Sequence, residues 1–382
     1  MVTIENVESI LKDYYLDAIN LQLSGEVSPF FNAIEKTSEY VVGKEVHQTI
    51  AAGTMSGVAA LGETDDLPRP RADRFYSVVL DLKNIYGTIE LTDKSIRASA
   101  NASGPFINLL NAETEGLVKG AKTNFARMLF GDGNGTLCRV VSKKTDYEIF
   151  VNDPRDYMVG LNIELDGTTP KFKTSIVSIN PNDNSIKIAD SLNGVSLTGK
   201  EIIKIEGAEG KELCGLAAIF DSTTLYGYNK DLLFMNPLIR NCSFSSLRES
   251  DLTDVIDNIE QRSDGRPNMI LCSHKTRSKL ASMLSTVRRI VNTTDIAAGY
   301  TSIYVNDVPV CVDKFCPNDR IYFLNTDDFV LNQLCDWSWL EGDGGRILKQ
   351  VPGKAAYSAT LVKYAQLFCK KPYAQGVIKL GS

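Results

Sequence analysis

The sequence has no apolar run near the roughly 18 residues that cross a bilayer as a helix, so no membrane partner is expected. No basic-then-apolar leader opens it, because Glu5 and Glu8 occupy that place. The chain therefore reads as made and kept in a cytoplasm. Histidine is scarce, with only His47 and His274, which leaves little for a zinc site. A basic excess is lacking too: 41 Lys and Arg stand against 47 Asp and Glu, a formal charge of −6. A protein that wraps nucleic acid over its whole surface is normally basic, so any such contact is local or weak. None of the eight cysteines (Cys138, Cys214, Cys242, Cys272, Cys311, Cys316, Cys335, Cys369) forms a C-x-x-C pair. In a reducing compartment they read as small buried hydrophobes. Neither a fixed-period repeat nor a low-complexity tail is present.

What is present is ordinary globular composition, 43% hydrophobic and 23% charged over 382 residues, enough for two or three domains. Residues 4–22 carry Ile4, Val7, Leu11, Tyr14, Ala18 and Leu21 at helical spacing, ended by Ser24, Gly25, Ser28 and Pro29. Too short to hold a core, this segment reads as an arm. From 40 to 91 a strand-like run, Val41–Ile50, leads through small residues to a charged, Pro-containing tip. A return strand, Phe75–Leu91, follows. Such a ribbon is marginal alone in water, so it is expected to rest on a neighbouring copy.

A long helix is expected over 105–130, with Phe106, Leu109, Leu110, Leu117, Ala121, Phe125 and Met128 on one face. The Gly131–Gly135 run stops it. Residues 137–213 turn β-rich, with short runs at Tyr147–Val151, Leu161–Leu165, Lys173–Ile179, Ser185–Ile188 and Glu201–Glu206. Their spacing suggests a small inserted barrel or sandwich. Residues 214–335 alternate again. A helix is expected over Ser246–Arg262, with a capping box from Ser246 to Glu249. Strand Met269–Cys272, a helix capped by Ser273, a hairpin turning at Asn306-Asp307 and strand Ile321–Leu324 follow. Tyr357–Phe368 reads as a long closing strand.

Several patterns resemble catalytic or ligand motifs without meeting their requirements. Gly194–Glu201 has phosphate-loop spacing, but Glu201 stands where the Mg²⁺-binding hydroxyl belongs and a β-like run follows; it reads as a hairpin turn. Gly131, Gly133 and Gly135 follow a helix, not the strand a dinucleotide fingerprint needs, and Asp132 alone does not make a Ca²⁺ loop. Cys311, Cys316 and His274 are too loosely spaced for zinc. Gly53–Gly57 is not a nucleophile elbow. No enzyme activity, metal or cofactor is expected.

The order arm, ribbon, long helix, β insertion, α/β domain, terminal strand resembles the major capsid proteins of tailed bacteriophages, the Hong Kong 97-type fold. Pro29-Phe30-Phe31 through Glu45, Asp93–Ser99, Leu129–Gly133 and Gly265–Leu271 look like that family's junctions. The resemblance covers nearly everything except 137–213. It implies an α+β, Hong Kong 97-like capsid fold. Its parts would be an N-terminal arm (1–40), an extended loop (41–91), and a peripheral domain with spine helix (92–136 and 336–382). A β-rich insertion domain (137–213) and an axial domain (214–335) complete it. It further implies pentamers and hexamers of self, a portal protein, a separate scaffolding protein if any, a decoration protein, and weak non-specific contact with packaged double-stranded DNA. The location would be a virion capsid assembled in the host bacterial cytoplasm. The alternative is an encapsulin-like nanocompartment enclosing protein cargo.

Site candidates follow from that reading. At the loop tip, Glu63, Asp65, Asp66, Arg69, Arg71 and Arg74 carry both signs for contacts between subunits. As a solvated loop, such pairs would contribute only about 0–1 kcal/mol each. Lys119, Lys122 and Arg127 are candidates for charge on the inner surface. A ribbon of about 20 residues per strand would reach roughly 60 Å. Some relatives weld their shells by a Lys–Asn isopeptide bond from this ribbon, but residues 46–82 contain no lysine. Denaturing gels of mature particles should therefore show single-chain bands; covalent ladders running through the ribbon tip would contradict this.

Overall fold

The computed structural model describes residues 28–52, 60–62, 66, 74–94, 103–155, 157–168, 171–232, 235–263, 265–287, 303–342 and 347–381. The helix expected over 4–22 lies outside them. The chain runs through a strand pair, β1 (Glu45–Ala52) and β2 (Arg74–Asp81), then β3 (Lys83–Thr92) and helix α1 (Ser103–Phe130). Six strands follow: β4 (Thr136–Thr145), β5 (Glu148–Val151), β6 (Asn162–Asp166), β7 (Phe172–Asn180), β8 (Ser185–Ile188) and β9 (Ile202–Ile205). Then come α2 (Leu216–Asp221), β10 (Leu238–Ser243), α3 (Glu249–Arg262), β11 (Met269–Cys272) and α4 (His274–Val287). The remaining strands are β12 (Ile303–Val305), β13 (Val308–Val312), β14 (Arg320–Leu324), β15 (Phe329–Trp339), β16 (Ala356–Cys369) and β17 (Gly376–Gly381).

Two compact units form; of the described residues, one takes those within 28–32, 83–218 and 333–367, the other those within 33–82, 219–332 and 368–381. In the first unit β3 pairs antiparallel with β16, from Lys83↔Ala365 to Thr92↔Ala356. Gly87 lies where a Cβ would come within 2.6 Å of Leu117 Cδ1, so helix α1 and β3 approach at that glycine. Along α1, Phe125–Phe130 are buried without a break. Phe125 makes edge contacts with Phe31 and Trp337, at 5.4 and 6.1 Å between ring centres. The helix stops as expected: Gly133 and Gly135 take φ of +87° and +70°, and the Asp132 carboxylate accepts the Asn134 N–H and the Thr136 hydroxyl.

The insertion is a closed barrel of order β8-β5-β4-β9-β6-β7. Alternate residues point inward, as a half-buried strand requires: Val140, Ile149, Val151, Ile163, Leu165, Ile176, Ile186, Ile188 and Ile203 fill it. Closure leaves no free sheet edge. Residues 189–201 are not a hairpin turn, because β8 and β9 are not neighbours. The loop instead folds round the Glu201 carboxylate, which accepts from the Thr198 N–H (2.6 Å), the Thr198 hydroxyl (2.8 Å) and the Gly199 N–H (3.0 Å). Gly199 has φ +76° and leaves only 2.8 Å between a built Cβ and Val141 O.

The second unit holds a six-stranded sheet of order β10-β17-β14-β11-β13-β12. Leu252, Val255, Ile256 and Ile259 of α3 and Leu280 of α4 share one core with its Ile270, Phe323 and Ile378. Helix α3 begins later than expected: Asp251, not Glu249, accepts the backbone N–H of the cap residue, which is Arg248 and not Ser246. Ser273 does cap α4, accepting the Thr276 N–H at 3.3 Å. Asn306 and Asp307 turn the β12–β13 hairpin with φ of 48° and 65°, the two positive values that a two-residue turn of matching twist needs.

Burial opposes ionisation of Glu201, but the hydrogen bonds from Thr198 and Gly199 outweigh it and hold the carboxyl below its usual range. A folded value below the unfolded one gives stability that is complete above the ordinary carboxylate range and is lost as pH falls through the folded value. Glu201→Gln should cost about 2 kcal/mol near neutral pH, with the gap to the unaltered chain narrowing in acid; urea melts at two pH values measure both.

Candidate assembly surface

The outward and inward sides of the ribbon differ. Strands β1 and β2 pair from Glu45↔Asp81 to Ala52↔Arg74. The inward row, Val46, Gln48, Ile50, Val78 and Leu80, is buried within the chain's own second unit. Gln48 Nε2 donates to Asn332 Oδ1 (3.2 Å), the Tyr228 hydroxyl donates to Ser77 O (2.8 Å), and Tyr76 sits edge-on to Tyr228 at 5.5 Å. The outward row leaves Phe75 67% and Val79 49% exposed, with Val42 beside the base of the ribbon 65% exposed. Glu45 and Asp81 face each other at this end, a like-charge pair that disfavours the strand pairing. His47 Nε2 lies 3.6 Å from Glu45.

These observations correct two expectations. The ribbon does not lack support from its own chain: one face is buried there and only the other is open. The return strand also does not run from Phe75 to Leu91. It breaks at Leu82, and Lys83–Thr92 pairs with β16 instead. The described pairing is eight residues per strand, about 26 Å at about 3.3 Å per residue.

Of the tip candidates, Glu63, Asp65, Arg69 and Arg71 lie outside the described residues; Asp66 is exposed, and Arg74 occupies the last pair of the ribbon, opposite Ala52. Lys119 is exposed and Lys122 half-buried on α1. Arg127 is not surface charge. It is 5% exposed, ion-paired to Glu212 and donates to Asn124 Oδ1 at 2.9 Å. The partner lies 85 residues away in sequence, so helical spacing alone gave no sign of it. Arg127 Nη1 and Glu212 Oε2 are buried without hydrogen-bond partners.

Burial pushes the Cys272 thiol up to about 12, the opposite of an activated nucleophile. Among the described residues no group of three His, Cys, Asp or Glu is placed to hold a metal. Lys363, fully buried on β16, places its ammonium 2.5 Å from Asp336 and over the rings of Phe125 (5.5 Å) and Trp337 (5.8 Å). That arrangement ties strands β15 and β16 to helix α1.

No protein-family model and no curated protein sequence matches the chain. Solved structures do. The capsid asymmetric unit of cyanophage A-1(L) superposes with a TM-score of 0.57 at 12% identity, covering 94% of this chain and 91% of that one. The capsid of the native GTA particle gives 0.54 at 9% identity, with the same two coverages. The fold, taken nearly end to end, is that of these capsid subunits.

Because breaking a buried ion pair strands the surviving charge, Glu212→Gln should cost about 3–5 kcal/mol in chemical denaturation. Arg127→Met combined with Glu212→Met should recover most of it.

Proposed function

We propose that this chain is the major capsid protein of a tailed phage, a shell subunit without catalytic role. It would assemble through pentamers and hexamers around a double-stranded DNA genome. The reading rests on the near-complete likeness to two capsid subunits together with the open side of the ribbon. In this reading the chain carries the Hong Kong 97-type plan. Residues 1–40 are the arm, 41–91 the extended loop, 92–136 with 336–382 the peripheral domain, 137–213 the insertion and 214–335 the axial domain. A portal, a scaffold and a decoration protein are its expected partners, and the virion capsid, built in the host cytoplasm, its location.

The physical reason for assembly is the outward ribbon row. Burying a large apolar side chain contributes about 1.5–3 kcal/mol, and Phe75, Val79 and Val42 present three on one side. No single contact has to be strong, because each subunit meets several neighbours at once. The tip sequence, from Glu63 to Arg74, carries both signs of charge, which would suit contacts between copies.

Electron microscopy of the purified protein tests this: uniform hollow polyhedra are expected. Phe75→Asp with Val79→Asp should abolish them while the free subunit melts within about 0.5 kcal/mol of the unaltered chain, as surface changes do. A chain that stays monomeric at high concentration, or a double variant that assembles normally, would overturn the proposal. Shells that enclose protein and no DNA would point to the nanocompartment alternative.

A further inference from the structure

From Gly265 to Thr294 the sequence contains no Asp or Glu and six Lys or Arg, in a chain whose net charge is −6. Helix α4 occupies the middle of this stretch, with no acidic residue in its first turn. Its described outward residues are His274, Lys275, Ser278, Ala281 and Ser282, with Arg277 and Lys279 half-exposed. The described residues place no carboxylate against Lys275, Arg277 or Lys279. Lys275 Nζ instead lies over the Phe244 ring, 5.4 Å from its centre. The 313–319 loop packs on the first turn, where the Thr276 hydroxyl donates to Asn318 O (3.1 Å). That loop adds exposed Lys314 and one exposed carboxylate, Asp319, which is held 3.7 Å from Arg320 Nε.

Lys275 and Arg277 in the first turn of a helix also oppose its dipole, a cost that no carboxylate among the described residues offsets. The helix amides are not the open feature, since Ser273 already accepts the Thr276 N–H. The side chains are. Among the described outward residues of α4 none is aromatic or large aliphatic, and the aromatic beside them, half-buried Phe244, lies under Lys275, whereas contacts between proteins centre on such anchors. Cations spaced by small hydroxyl residues instead suit phosphate oxygens, which need charge and no shaped apolar socket.

We propose that the Lys275–Arg277–Lys279 face of α4 contacts the sugar–phosphate backbone of nucleic acid, without sequence preference. This rests on the capsid reading and relocates the nucleic-acid contact, because Arg127 of α1 is buried and paired while this face is open.

The test uses full-length unassembled subunits with a short random-sequence DNA duplex, and reads shell formation separately by electron microscopy. Lys275→Gln with Lys279→Gln should weaken duplex binding and flatten the slope of log affinity against log salt by about 0.9 for each lysine removed, while shells still form. Lys275→Arg with Lys279→Arg should restore the slope. No duplex binding by the unaltered protein, or an unchanged slope in the glutamine variant, overturns the proposal. So does a glutamine variant that binds duplex normally yet forms no shells, since the face would then join copies of the chain. Absence of shells from the unaltered protein counts against the capsid reading and leaves the binding result to stand by itself.

Discussion

A two-stranded ribbon has two faces and, without a third layer, too little apolar burial to hold its shape in water. Here β1 and β2 place Val46, Ile50, Val78 and Leu80 against the chain's own second unit and turn Phe75 and Val79 outward. The period of two along each strand puts Val46, Gln48 and Ile50 on one face of β1 and Glu45, His47 and Thr49 on the other, so covering one side leaves the other open. An outward Phe 67% exposed is tolerable singly. Set beside Val79 and Val42, it becomes a surface that gains by being covered. The same constraint sets both the register of the ribbon and the apolar row it leaves open.

The first unit has constraints of its own. Closure of the barrel removes edges that would otherwise be free to pair with other chains. The Arg127–Glu212 pair ties the buried end of α1 to the strand-end turns that leave the barrel. A buried ion pair adds little net stability compared with an apolar pair of the same volume, but losing one partner is costly. Its use here is to fix one arrangement of helix and insertion.

Short runs bounded by clear turn residues were legible in sequence. Met269–Cys272 and Ser185–Ile188 match the structure residue for residue, and the Asn306-Asp307 turn follows from the residues that tolerate positive φ. Strand β4 was missed because Ser142, Lys143 and Lys144 break its apolar run, their side chains being solvated on the barrel exterior. Strands β10, β15 and β17 were missed for a different reason. Their burial is irregular or nearly continuous, as in β15, whose first four residues are all buried, and short apolar runs do not reveal helix or strand by period. The break at Leu82 was invisible because alternation continues through it. The surface role expected of Arg127 failed because burial of a cation depends on a distant carboxylate. The apolar side of the ribbon was anticipated as a whole, whereas its division into a self-covered and an open face depends on Tyr228 and Asn332, far away in sequence.

The most direct test of the central claim is a photo-crosslinking side chain placed at position 75 and activated in assembled particles. If the outward ribbon row is covered by a second copy, the label should join two chains and yield dimers and higher ladders on a denaturing gel. Efficient assembly with the label captured only within its own chain, or left to solvent, would contradict the account.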